Sequence, residues 1–233
     1  MSQLKNIKLN TPTFKEIIPS NKQEVSITPF KVGDEKVLLM AAESKDNIAM
    51  INSLKRVVNN CTHGVELQEL ASFDLEYLFL KIRAISVGET AKILLTCPEC
   101  NTANNITVEL SEVQVKGIDS FENNVKINDE LYFNMKLPEL EDYADIDVND
   151  PDTIINFIAS NVSKVFYGEE SIDVGENDIK DVVNIIEQLT SQQFEFLKNY
   201  VLNIPKVSHD VDFKCSHCHN QTNIVLEGLA DFF

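Results

Sequence analysis

Residues 91–110 read AKILLT-CPEC-NTANNITVEL and residues 209–228 read HDVDFK-CSHC-HNQTNIVLEG, and the fold turns on these two stretches. Each holds a Cys-x-x-Cys between strand-like flanks, Cys97-Pro98-Glu99-Cys100 and Cys215-Ser216-His217-Cys218. A shift of 118 positions lays Cys97 on Cys215 and Cys100 on Cys218, and with them Asn105 on Asn223, Ile106 on Ile224 and Glu109 on Glu227. A tight turn with two residues between its cysteines points both sulfurs at one metal, while the turn amides hydrogen-bond to them. Each knuckle therefore supplies half of the four thiolates that a tetrahedral zinc takes. Two knuckle hairpins set face to face make a split zinc ribbon. The expected ligands are Cys97, Cys100, Cys215 and Cys218, and the expected cofactor is a structural zinc, with iron open because four thiolates suit either metal.

The spacing is unusual: 114 residues, 101–214, lie between the knuckles, against about 15–20 in a contiguous ribbon. Closing so long a loop costs little more than closing a short one, because the entropy grows with the logarithm of length. A structural zinc supplies about 10–16 kcal/mol in isolated finger peptides. The metal is thus expected to staple the middle of the chain to its end and to hold the intervening segment as an insertion.

Other chemistries fit these pairs less well. A thioredoxin-type redox pair sits at a helix N-terminus after a strand, whereas these pairs sit in hairpins and occur twice. A catalytic zinc keeps one position open, and four cysteines leave none unless His217 or His219 replaces a sulfur; both histidines read as turn residues. A zinc-ribbon nucleic-acid-binding factor is the alternative reading. Only Lys92, Lys206 and Lys214 lie near the knuckles, with no aromatic and basic platform. The chain carries 20 basic against 37 acidic residues, a net charge of −17, which repels phosphate backbones and anionic membranes. No apolar run approaches the roughly 18–20 residues of a membrane span, and the start MSQLKNIKLN is no secretory signal, so a reducing cytoplasm is the expected site of synthesis. No phosphate-binding glycine loop, nucleophile elbow or H-E-x-x-H occurs, so no enzyme is expected.

Outward from the knuckles, FDLEYLFLKIRAISVGE (73–89) predicts a helix with Asp74 and Glu76 in its first turn and Gly88 as its stop, burying Leu75, Leu78, Phe79, Ile82 and Ile85. Before it, a helix capped by Ser44 carries Ile48, Ile51, Leu54, Val58 and Cys61, with Cys61 a buried small hydrophobe and His63 at the helix end. Val25, Ile27 and Phe30, a turn at Gly33-Asp34, and Val37-Leu38-Leu39-Met40 predict a hairpin, with Pro29 arguing for an edge. Residues 1–22 read as an extended arm. After the first knuckle, Val125, Ile127, Leu131, Phe133 and Met135 predict a second hairpin around Asn128-Asp129. Residues 138–150 form an acid-rich solvated connection. Three helices follow: from Asp150-Pro151 through Ile154, Ile155, Ile158, Val162, Val165 and Phe166 to Gly168, then one opened by Asn177 and one opened by Ser191 and stopped by Pro205.

The stretch VSITPFKVGDEKVLLMAAESKD (25–46), with Glu35, Lys36, Leu38, Leu39, Glu43 and Ser44, and the helix before the first knuckle, with Phe73, Asp74, Tyr77, Leu78, Phe79, Arg83, Gly88 and Glu89, resemble the baseplate hub subunit and hub-assembly family of T4-like contractile-tailed bacteriophages. The likeness continues more weakly to the terminal LEGLADFF. It implies a non-enzymatic tail protein with no catalytic residues to carry over, made in the host cytoplasm and acting in the virion tail baseplate or its assembly intermediate, with hub and tape-measure proteins as partners.

The expected architecture is α+β: an extended arm (1–22), an N-terminal α/β unit (23–90) of hairpin and helix, a split four-cysteine zinc ribbon (91–117 and 207–233) and an insertion of a hairpin and three helices (118–206). The terminal Phe232 and Phe233 either fold back onto the ribbon core, the favoured reading because an exposed apolar end promotes aggregation, or fill a pocket on a partner.

Overall fold

Phe14–Ile17 forms strand β1 and not part of an unpaired arm: it pairs antiparallel with β2 (Glu24–Ile27), Phe14 opposite Ile27 and Ile17 opposite Glu24. The computed structural model describes residues 10–144, 146 and 150–232. The expectations that fall on residues 1–9, on four positions of the acidic connection and on Phe233 lie outside these. On its other side β2 pairs with β3 (Thr62–His63), which places His63 in a strand opposite Ser26 and not at a helix end. Pro29 lies beyond β2, which is the middle strand of three, so the edge position argued from that proline does not hold.

The predicted turn at Gly33-Asp34 is instead the first turn of helix α1 (Val32–Ser44), with Val37-Leu38-Leu39-Met40 at its centre. Residues 35–43 are, apart from Val37, strong helix formers: Glu, Lys, Leu, Met and Ala. Asp34 completes the start by accepting the Lys31 amide at 3.0 Å. Ser44 ends α1, donating to the Ala41 carbonyl at 2.7 Å. The cap of α2 (Asn47–Cys61) is Asp46, whose carboxylate accepts the Ile48 and Ala49 amides at 3.0 and 3.2 Å. Leu54, Val58 and Cys61 are buried as the periodicity predicts.

Helix α3 (Ser72–Val87) ends at Gly88, whose φ of +147° suits glycine. It is buried on more than one face: Leu75, Leu78 and Ile82 are joined by Phe73, Leu80, Asp74 and Lys81. A helix apolar around most of its circumference belongs inside the core, and α3 packs against α2 and against the 3-10 turn Leu110–Glu112.

Strands β4 (Thr90–Thr96) and β5 (Ala103–Glu109) follow, then the short β6 (Gln114–Lys116). Next come β7 (Asn124–Lys126) and β8 (Leu131–Met135), the predicted second hairpin. Helix α4 (Pro151–Ser160) starts where expected but stops eight residues short of Gly168. Asn161, fully buried, donates its side-chain amide to the Phe157 carbonyl at 2.8 Å. Val162–Tyr167 is then strand β9, turning at Gly168 (φ +60°) into β10 (Glu170–Asp173). Valine and aromatic residues favour this pleated strand, so the insertion holds a four-stranded antiparallel sheet, β10-β9-β8-β7, where one hairpin was expected. Helices α5 (Ile179–Glu187) and α6 (Ser191–Leu202) have Asp178 and Thr190 as their N-caps. Phe133, Met135, Ile158 and Leu197 lie at the centre of this segment's core.

Strands β11 (Lys206–Lys214) and β12 (Gln221–Glu227) close the chain. The fold is α+β, with helices alongside antiparallel sheets. It divides into two compact units, one running to Gln114 and resuming at Val207, the other Val115–Lys206.

Candidate metal centre

The site is built by two hairpins of one design. In β4–β5, Thr90 pairs with Glu109, Ile93 with Ile106 and Thr96 with Ala103. In β11–β12, Ser208 pairs with Glu227, Val211 with Ile224 and Lys214 with Gln221. Each pair in the second set is the first moved by 118 positions. The turns repeat as well: the Cys97 amide donates to the Thr102 carbonyl and the Asn101 amide to the Cys97 carbonyl, both at 2.9 Å, while Cys215 to Asn220 and His219 to Cys215 measure 2.9 and 3.1 Å. Asn101 and His219 share the left-handed conformation, φ 54° and 60°, that closes each knuckle. Even the flanks match, Leu110 donating to Glu89 and Gly228 to Val207.

The structure brings all four predicted cysteines together, their sulfurs within 4.8 Å of one another. Across the knuckles, Cys97 Sγ lies 3.7 Å from Cys218 Sγ and Cys100 Sγ lies 3.6 Å from Cys215 Sγ. Exchanging the two hairpins turns one of these contacts into the other, so the centre is pseudo-twofold. A tetrahedron with metal–sulfur bonds of about 2.3 Å has sulfur–sulfur edges of about 3.8 Å, and the cross-knuckle distances fit it. Cys97 and Cys215 are buried, Cys100 is half-buried and Cys218 is exposed.

Protonation is divided unevenly among the sulfurs. Hydrogen bonding from the Thr102 side chain and backbone pulls the Cys100 thiol down to about 5. The Cys218 and His217 amides lower Cys215. Cys218 feels the Asn220 amide pulling it down, but burial and the neighbouring thiols outweigh it and push it up to about 12. Thiols crowded this closely are suited to losing protons to a cation.

Both Cys-x-x-Cys pairs sit in hairpin turns, away from any helix N-terminus, so the thioredoxin geometry is not present. The side chains of His217 and His219 belong to exposed turn residues. Cys61 lies outside the cluster, its thiol pushed to about 11 by burial and by Asp34.

One participant escapes spacing arguments. Asn104, 5% exposed, occupies an inward position of β5. Its carbonyl accepts the Ser216 amide and hydroxyl, both at 2.8 Å, and its amide donates to the Thr102 carbonyl at 2.8 Å and reaches Cys215 Sγ at 3.7 Å. The available signal was a polar residue at an inward strand position.

Neighbouring elements hold the hairpins in place. Lys81 of α3 donates to the Leu110 and Ser111 carbonyls at 3.4 and 3.0 Å, capping the end of β5. The 3-10 turn Leu229–Phe232 packs against β4 and β12, burying Phe232 to 1%.

These features define an α+β protein with four cysteines clustered closely enough to hold a metal ion. The chain belongs to the T4 bacteriophage base plate protein family, whose sequence model matches residues 10–233. No curated protein and no solved structure matches it. Among the described residues, no helix is long and apolar enough to cross a membrane.

Proposed function

We propose that this protein is a non-enzymatic structural or assembly component of the baseplate hub of a contractile phage tail, binding hub and tape-measure proteins, with one structural zinc held by Cys97, Cys100, Cys215 and Cys218. Family membership supports the tail role. The observation that carries the metal reading is the convergence of four thiols, from hairpins 118 positions apart, within 4.8 Å of one another, with both cross-knuckle contacts at 3.6–3.7 Å. Four sulfur ligands leave no open coordination position, so the ion serves folding and not catalysis. The acidic body, net charge −17, directs binding toward protein surfaces and away from nucleic acid. On α1, Val32, Leu39 and Met40 expose apolar area to such partners.

The test has two parts. Elemental analysis of the purified chain is expected to find one zinc per molecule, and Cys97→Ser to lower both zinc content and Tm; unchanged values for both refute the zinc reading. Co-expression with the hub and tape-measure proteins is expected to yield a complex that survives size-exclusion chromatography. Separate elution of every component refutes the assembly role.

A further inference from the structure

The two hairpins agree in register, turn hydrogen bonds and left-handed residue. One place where they differ in chemistry is the inward position that follows each knuckle. On β5 it is Asn104; moved by 118 positions it is Thr222 on β12. The residue that Asn104 grips, Ser216, corresponds in the first knuckle to Pro98. Ser216 offers Asn104 an amide hydrogen and a hydroxyl. Proline has no amide hydrogen and no side-chain donor, so an asparagine at 222 would find nothing at 98 to bind and would bury an unsatisfied carbonyl. Thr222 stands there instead, its hydroxyl buried without a hydrogen-bond partner.

We infer that Asn104 is the positioning residue of the four-thiol centre, a one-sided lock in which the first hairpin orients the second knuckle through Ser216 and directs an N–H toward Cys215 Sγ. This inference rests on the metal reading proposed above. The carboxamide is matched to the task at both ends. Its oxygen takes both Ser216 donors, and its nitrogen divides two hydrogens between the Thr102 carbonyl, which fixes the side chain in its own hairpin, and the sulfur. The lock thus joins the knuckles by protein contacts alone, and it holds in place a ligand that is itself buried. Groups that orient metal ligands in this way change metal affinity by about 10–100-fold when removed.

The experiment uses the full chain loaded with zinc, titrated against a chromophoric chelator, and in parallel the Co2+-substituted protein read by its thiolate charge-transfer absorption. Asn104→Ala is expected to keep one ion per chain and to bind it about 10–100-fold more weakly, with a displaced charge-transfer band, a shift that a packing defect remote from the sulfur does not produce. Asn104→Asp keeps an acceptor for Ser216 but sets a carboxylate against the thiolate, and is expected to lose at least as much. Ser216→Pro copies the first knuckle, whose backbone shows that proline is accepted at this position. It is expected to weaken binding, and the double variant with Asn104→Ala to be no weaker than the worse single one. If the alanine variant does not fold, Asn104→Asp and Ser216→Pro supply the same comparison. Wild-type affinity and spectrum in the Asn104 variants, or strictly additive losses in the double variant, overturn the lock and leave the metal reading standing. A wild-type chain that takes up no metal overturns the metal reading itself.

Discussion

Asp74 is completely buried, yet its carboxylate is one of the best-served groups in the protein. It accepts the Ser20 amide at 3.0 Å, the Ser20 hydroxyl at 2.6 Å and the Ala71 amide at 3.0 Å, so one side chain begins α3 and fastens the turn after β1 to it. Burial raises its pKa and these hydrogen bonds pull it back. Asp74→Ala leaves two backbone amides without their acceptor and is expected to cost about 3 kcal/mol in denaturant unfolding; a loss below about 1 kcal/mol contradicts this account. Two residues on, Glu76 is raised from 4.5 to about 7 by burial, against the Leu229 amide that it accepts. The folded chain therefore holds this proton more tightly than the unfolded chain does. Glu76 costs stability as pH rises from the unfolded value to the folded one, and the cost is complete above about 7. Glu76→Gln carries no such cost, so its Tm relative to wild type is expected to climb between about pH 5 and pH 8. A constant Tm difference across that range speaks against it.

Among the elements, those with one self-consistent pattern were legible in the sequence. Helix α3 combines an unbroken apolar series with Gly88, and the β7–β8 hairpin combines strict alternation with Asn128-Asp129. Where two periodicities competed, the sequence misled. Val162, Val165 and Phe166 extend the spacing of Ile155 and Ile158 along a helix, but valine and aromatic residues also favour a strand, and Gly168 gave β9 its turn. In α1 an apolar run imitated a strand although its residues favour a helix. Strand β1 has little apolar signal because it is an exposed edge, shaped by β2. At the centre, the cysteines were legible by spacing alone, whereas Asn104 acts through Ser216, 112 positions away, a pairing that no local pattern encodes. The capping box of α6 offers a test at this scale. The Thr190 hydroxyl accepts the Gln193 amide at 3.3 Å and donates to the Gln193 side chain at 3.0 Å. Thr190→Ala is expected to cost about 1 kcal/mol in urea unfolding, and no measurable change speaks against the cap.

At the scale of the whole molecule, the proposed metal bears on one of the two units only. Unit Val115–Lys206 has its own core around Phe133, Ile158 and Leu197 and contains none of the four clustered cysteines. Stripping the ion with a strong chelator is therefore expected to abolish amide-exchange protection in β4, β5, β11 and β12 while protection persists in β8, β9 and α4. Simultaneous loss throughout the chain, or no loss anywhere, contradicts that division.

The order in which a ribosome makes the chain gives the distance between the knuckles a temporal meaning. Cys215 is polymerised 118 positions after Cys97, a delay of roughly 6–24 s at about 5–20 residues per second. Throughout that interval Cys97 and Cys100 have no second knuckle to meet. Premature termination at any point before Cys215 yields a polypeptide lacking two of the four sulfurs that cluster in the finished fold, so the cluster becomes possible only as synthesis nears its end.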